Sequence, residues 1–502
     1  MIYQDVSQAL EALDRLESKL AAYYHAMGIL TTDAATAAPE ASAYARGRTM
    51  EVLSGVVYQL ISDPENHRML TYLQEHEQQL DTMRRRQTEL LRKQVDQLSR
   101  IPQEEYVAYT VLLNEADGIW RTAKNTNDFA SFAPTLEKIV EFNQRFAGYY
   151  NPGLPAYDAL LNEYEQGLNM QTLDAFFGQL RKALVPLIHA VGQQEQIDDS
   201  FLKQSYPIEQ QRKFSDYLMH VLGIDPARCT LAETEHPFTN GVNNHDVRIT
   251  THYYENDVAN SMYSVIHEGG HALYELGNDD RYNFTSIQGG ASMSIHESQS
   301  RFYENIVGRS MEFIELIFPK MQELFPQQLQ GVTAEQMYRA VNKAQPSLIR
   351  TEADELTYCM HIMVRYELEK RLIDGSLKVQ ELPQAWNQMY REYLGVEVPD
   401  DARGCLQDTH WAGGMFGYFP SYALGSAYGA QMKVFMERDI GPVGRLVAEG
   451  HLDQITQWLA EHIHRHAQLY KPGELFEMSC GTFDAKYYTD YLTEKYKKLY
   501  NL

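Results

Sequence analysis

Two histidines four residues apart, with a glutamate directly after the first, stand at His267-Glu268-Gly269-Gly270-His271. On a helix, side chains four apart leave the same face one turn apart, so both imidazoles can reach one tetrahedral zinc at about 2.0–2.1 Å. Glu268 then falls beside the fourth coordination position, where a carboxylate can take a proton from water. The chemistry expected is metal-assisted hydrolysis. With 17 histidines in 502 residues, roughly 0.04 chance occurrences of this pattern are expected. The bland alternative is a helix carrying two surface histidines. Against it, Gly269 and Gly270 each cost a helix interior about 1 kcal/mol relative to Ala. Bare backbone there lets another element or a substrate come close.

A catalytic zinc wants a third protein ligand and an open position. Downstream, Ser294 to Ser300 opens a second helical stretch that includes Phe302, Ile306 and Val307. Either His296 or Glu297 can supply the ligand, and chemistry alone does not choose between them.

The elements that must position these groups are mostly helices. Leu13, Leu16, Leu20, Tyr23 or Tyr24, and Met27 recur at three- and four-residue steps, as do Leu91, Val95 and Leu98, then Leu136, Ile139 and Val140, and Met432, Phe435 and Met436. The motif itself is predicted on a helix from Val258 to Leu276, with Asn256 or Asp257 as cap and Gly277 as stop. Just before it, Asp246 to Tyr254 is rich in Val, Ile, Thr and Tyr and reads as strand, with Asn240-Gly241 as a tight turn. A small sheet near residues 230–255 follows. Breaks such as Asn151-Pro152-Gly153 are short, and no repeat appears, so one large two-lobed helical body is favoured over a string of domains.

Composition excludes several classes. Forty-four basic against 68 acidic residues give a formal charge of −24, which argues against attraction to nucleic acid or anionic membranes. Nowhere do about 18 apolar residues run together, and the N-terminus carries acids where a signal peptide needs cations. Four widely spaced cysteines fit buried thiols in a reducing compartment. A cytoplasmic protein acting on small molecules or peptides is expected.

Six motifs carry a specific resemblance: His236-Pro237-Phe238, Asp246-Val247-Arg248-Ile249-Thr250, His267 to His271, His296-Glu297-Ser298-Gln299, Ile349-Arg350-Thr351-Glu352-Ala353-Asp354, and Gly404 to Trp411. In this order the chain resembles the thermostable, Taq-type (M32) family of zinc carboxypeptidases. The motifs show no departure, and the length and N-terminal helices also fit. The resemblance implies that Glu297 is the third ligand. It also implies a mainly α, two-lobed, zincin-like fold with a deep groove over residues 1–502, divided into an N-terminal helical lobe to about residue 200 and a catalytic part beyond it. A homodimer acting on peptides is implied as well.

Cutting at a C-terminus requires recognition of a free carboxylate, which a guanidinium fork does best. Arg350 is preferred for this, with Arg248 in support and His236 as a further substrate-binding candidate. Each arginine has an internal alternative among Asp354, Asp246 and Glu352. His410 and Tyr422 are candidate oxyanion donors, against a packed aromatic loop. The strand bearing Arg248 can also pair with an extended peptide and give broad specificity. Cobalt or manganese can replace zinc in a His2Glu site. The runs His462-His464-His466 and Arg84 to Lys93 read as solvated helix faces. Rival readings are a helical endopeptidase or oligopeptidase with the same zinc chemistry, and a non-catalytic zinc-binding scaffold, for which Glu268 has no use.

Overall fold

The leucine stripe of the first segment becomes the covered face of helix α1 (Val6–Thr36), where Leu13, Leu16 and Leu20 are buried. Asp5 starts this helix by accepting from the Gln8 N–H, as short polar side chains do at helix N-termini. Helix α2 (Thr82–Arg100) buries Leu91 and Val95 in the same apolar cluster, drawn from residues 9–95. A larger cluster is drawn from residues 116–500. The computed structural model describes Tyr3 and residues 5–502, and these form twenty α-helices and one small sheet.

The basic run on α2 meets acids as expected: Arg84 pairs with Asp14, Arg92 with Asp96 and Lys93 with Glu163. The expected solvated face fails at Arg86, which is buried and donates to the Gln468 carbonyl and the Gln166 side chain. A buried guanidinium is tolerable there because acceptors meet its donors.

Strands β1 (Cys229–Glu233), β2 (Thr239–Asn243) and β3 (Asp246–Thr251) form the sheet in the order β1-β3-β2. β1 runs parallel to β3 and β2 antiparallel to it, with Thr239 opposite Ile249 and Asn240 opposite Arg248. Two expectations are corrected here. Asn240-Gly241 is strand, and the chain reverses at Asn244-His245. Gly241 serves packing instead, since a Cβ there would lie 2.5 Å from the Glu275 carboxyl carbon. β3, which bears Arg248, is flanked on both sides and has no free edge for a peptide.

Helix α3 (Val258–Leu276) begins at Asp257, whose side chain accepts from the Asn260 N–H, and stops at Gly277. Helix α4 (Met293–Arg301) is capped by Ser292 and runs on into a π-helical turn, Phe302–Val307, a distortion enriched at functional sites. Helix α5 (Glu355–Ile373) starts at Asp354, and helix α6 (Pro420–Ile440) opens with proline at its first position. Glycines set the spacing of this layer. A Cβ on Gly270 would lie 2.7 Å from the Gln299 carbonyl oxygen, and one on Gly425 would lie 2.6 Å from the Glu297 side chain. Helix α4 is thus held against bare backbone of α3 on one side and of α6 on the other.

The His462-His464-His466 face is also corrected. His464 is fully buried, and its Nε2 meets Gln299 Oε1 at 2.9 Å. All four cysteines are free and buried. Among the described residues, no helix is long and apolar enough to cross a membrane.

Candidate metal centre

One turn of α3 presents His267 and His271 to α4, where their Nε2 atoms lie 3.8 and 3.6 Å from Glu297 Oε2. One ligand atom from each of the three lies within 4.8 Å of the others. His296, the alternative, points elsewhere. Its Nδ1 meets His271 Nδ1 at 2.7 Å, and its Nε2 meets Glu275 Oε1 at 2.7 Å. The tautomers then follow. If Glu275 accepts from His296 Nε2–H, His296 Nδ1 must accept from His271 Nδ1–H, which leaves the Nε2 lone pair of His271 free. His267 reaches the same state directly, since its Nδ1–H donates to Glu304 Oε2 at 2.8 Å. Orienting carboxylates of this kind are the usual partners of metal-binding imidazoles. The donor set therefore fits a divalent ion: two free imidazole nitrogens and one carboxylate oxygen.

The electrostatics agree at His271 and Glu297, whereas at His267 the Glu297 and Glu304 carboxylates overcome burial and raise the imidazole, so that ligation must displace its proton. Burial, helped by the neighbouring imidazoles, pushes His271 down to about 3, so it is neutral and able to ligate. Burial works to raise Glu297, but its opposing neighbours, the Arg301 guanidinium foremost, outweigh it and hold the carboxyl at about 2. Arg301 Nε donates to Glu297 Oε1 at 2.7 Å, which orients the other oxygen toward the histidines. Glu268 is buried, which raises its pKa, and its Oε2 accepts from the Thr239 hydroxyl at 2.6 Å. A carboxylate shifted this way is a better proton acceptor near neutral pH.

Beyond Arg301 lies a second charged group. The Arg301 guanidinium stacks 4.3 Å from the Tyr358 ring, and the Tyr358 hydroxyl accepts from Arg350 Nη1 at 3.2 Å. Arg350 is buried and donates from Nε and Nη2 to Asp408 Oδ1 at 3.0 and 2.9 Å. Arg365 holds the other Asp408 oxygen. The internal partner of Arg350 is thus Asp408, rather than Asp354 or Glu352. The Tyr422 ring lies 5.1 Å from the Arg350 guanidinium, and the Tyr422 hydroxyl is 3.4 Å from His410 Nε2. Burial pushes His410 down to about 4, leaving it neutral. Arg248 is occupied elsewhere, by both oxygens of Asp246 at 2.9 Å. His236 is exposed between β1 and β2. Among the described residues, neither Arg248 nor His236 has a hydrogen bond or ion pair to this arginine group.

The family profile described as "Carboxypeptidase Taq (M32) metallopeptidase" matches residues 12–496. The chain belongs to the M32 carboxypeptidase family. Carboxypeptidase 1 of Bacillus subtilis (strain 168) is 39% identical over 489 residues, covering 97% of this chain and 98% of that protein. Thermostable carboxypeptidase 1 of Thermus thermophilus is 36% identical over 493 residues, covering 95% and 96%. The solved structure of the M32 carboxypeptidase from Deinococcus radiodurans R1 superposes with a TM-score of 0.94 at 34% identity, covering 99% of this chain and 100% of that one. This M32 member is accordingly a metal-dependent peptide hydrolase of the carboxypeptidase class.

Several groups at the M32 site escaped the sequence reading. Arg301 and Glu304 stand four and seven residues after Glu297, positions that share its helix face, so spacing alone could have suggested them. Thr239 and Tyr358 gave no signal. Gly425 sits among Ala423, Ser426, Ala427, Gly429 and Ala430, a density of small residues that is a visible sign of close helix packing.

Proposed function

We propose that this chain removes single residues from the free C-termini of peptides, with broad specificity, using zinc held by His267, His271 and Glu297. When bound, the ion supplies Lewis acidity, polarising the scissile carbonyl and acidifying the attacking water, and cobalt or manganese can do the same. Glu268 takes the proton of that water and returns it to the leaving amine, with Thr239 fixing the carboxylate that does so. Tyr422 and neutral His410 donate to the developing oxyanion in this reading.

The observation that carries end recognition is the state of Arg350. A guanidinium has five N–H donors, and Asp408 and Tyr358 use three of those of Arg350. One N–H remains on each terminal nitrogen, the pair that forks onto a carboxylate. Asp408 and Tyr358 hold that fork before substrate arrives, so little side-chain entropy is lost on binding. Broad specificity fits recognition through the terminal carboxylate rather than through a side chain. Arg248 and His236 remain supporting candidates, and the homodimer and cytoplasmic setting belong to the same reading.

Paired peptides test it. A peptide with a free C-terminus should lose residues one at a time, and the same peptide amidated should resist. Equal cleavage of both, or internal cuts, would replace this reading with an endopeptidase.

A further inference from the structure

Helix α5 presents two charged side chains to the segment between Gln407 and Tyr422. Arg365 grips Asp408 Oδ2 at 2.7 Å. One turn later, on the same face, stands Glu369, fully buried and without a part in the chemistry described above. Its carboxyl meets three donors. Trp411 Nε1–H reaches Oε1 at 2.8 Å, while the Gly417 N–H and the Tyr157 hydroxyl reach Oε2 at 2.8 and 2.7 Å. Among the described residues no ion pair balances it, since Arg365 is given to Asp408. A buried carboxyl without a cation is costly, and one that merely filled space could be replaced by an apolar side chain.

The two backbone-segment donors flank the corner that holds Arg350. Asp408, which grips the guanidinium, lies three residues before Trp411. Phe419 and Tyr422, whose rings lie 5.6 and 5.1 Å from the same guanidinium, follow Gly417. Upstream of Asp408 the chain is tied down separately, by Trp120 Nε1 on the Leu406 carbonyl at 3.0 Å and Lys124 Nζ on the Gln407 carbonyl at 2.9 Å. Glu369 ties down the return. At Gly417 φ is +89°, and a Cβ there would lie 2.9 Å from the Leu160 carbonyl carbon. Bare backbone is thus pressed between Glu369 and the helix Ala156–Tyr164, which carries Tyr157.

We propose that Glu369 is a positioning residue for end recognition. By pinning Trp411 and Gly417 it sets Asp408 on one side of Arg350 and the Phe419 and Tyr422 rings on another, and so aims the free N–H pair of Arg350 at the peptide terminus. The proposal rests on the carboxypeptidase reading above. Burial raises the Glu369 carboxyl to about 7, yet the clamp survives protonation. An Oε2–H can donate to the Tyr157 hydroxyl while both N–H groups still find acceptor oxygens. An amide has no such freedom. Whichever way a glutamine is turned, its NH2 faces either the Trp411 N–H or the Gly417 N–H, donor against donor.

Glu369→Gln is the test, read on the metal-loaded protein with a free-ended peptide. KM should rise by about tenfold, because a recognition group held slightly out of place loses much of its grip, while kcat and metal content stay within about twofold of wild type. The inhibition constant of an N-acetyl amino acid, which offers the corner its terminal carboxylate, should rise by the same factor. A role confined to stability would lower the amount of active protein, and with it kcat, and leave KM untouched. That result, or wild-type values throughout, overturns the proposal. Trp411→Phe removes one donor and should raise KM in the same direction, which keeps the test open should the glutamine variant not fold. In the double variant the amide oxygen can turn to Gly417 and Tyr157 with no donor opposite its NH2, so KM should fall back to that of Trp411→Phe alone. Increases in KM that multiply instead overturn the proposal. Failure of end recognition reads out separately, as wild-type cleavage of the amidated peptide.

Discussion

Replacing Glu268 by glutamine keeps the side chain's shape and the hydrogen bond from Thr239 but removes the proton acceptor. Turnover is expected to fall by about 10²- to 10⁴-fold, while metal content, measured on the purified protein, stays at the wild-type level. Unchanged turnover would remove the proposed role of Glu268. At this scale the sequence was informative for His267, Glu268 and His271, because a five-residue spacing on one helix determines their shared face. It could not separate His296 from Glu297, which are adjacent. Only the packing of α4 against α3 sends His296 to His271 Nδ1 and Glu297 to the imidazole Nε2 atoms. Asp408 as the partner of Arg350 was equally hidden, since 58 residues separate them.

Helices α3, α4 and α6 meet so closely that a methyl group decides their spacing. Ala at an exposed helical glycine gains up to about 1 kcal/mol in propensity, and Gly118→Ala, where a Cβ meets nothing within 4 Å, should be stabilising. Gly270→Ala should behave oppositely. Its Cβ would overlap the Gln299 carbonyl oxygen and Ser300 Cα at 2.7 Å, and overpacking of this kind costs about 1–3 kcal/mol. Displacing α4 also moves Glu297, so more metal should be needed to restore activity. A wild-type Tm and metal titration for Gly270→Ala would refute this account of the layer. The two glycines in the motif already hinted at close approach, and the helix bounds of α3 were readable from its caps. The sheet was readable in place but not in topology. Asn240-Gly241 looks like a turn, and only contact with Glu275 explains a glycine within β2.

Across the whole molecule, one buried acid ties distant segments together. Glu165, reached after a helix ending at Tyr164, accepts from the Ser294 N–H at the start of α4. Burial pushes its carboxyl up to about 7, above the ordinary value near 4.3. The folded state therefore holds this proton more tightly than the unfolded chain. Its contribution to stability is complete below about pH 4.3 and declines as pH rises through about 7. Glu165→Gln should flatten that decline in denaturation measurements between pH 4 and 8, and an unaltered slope would assign the effect elsewhere. Overall helical character was plain from apolar periodicity. Long-range features such as Glu165 or buried His464 leave no local trace, because burial is set by elements far apart in sequence.

Arg350, Arg365 and Asp408 bring two cations and one anion into the same enclosed corner, beside a neutral His410. A docked peptide terminus would balance this corner to zero. The amino acid released by cleavage keeps the same carboxylate but gains an ammonium of its own. Its hold on the corner is then weaker than that of the peptide it came from, and the arrangement favours clearing product over retaining it.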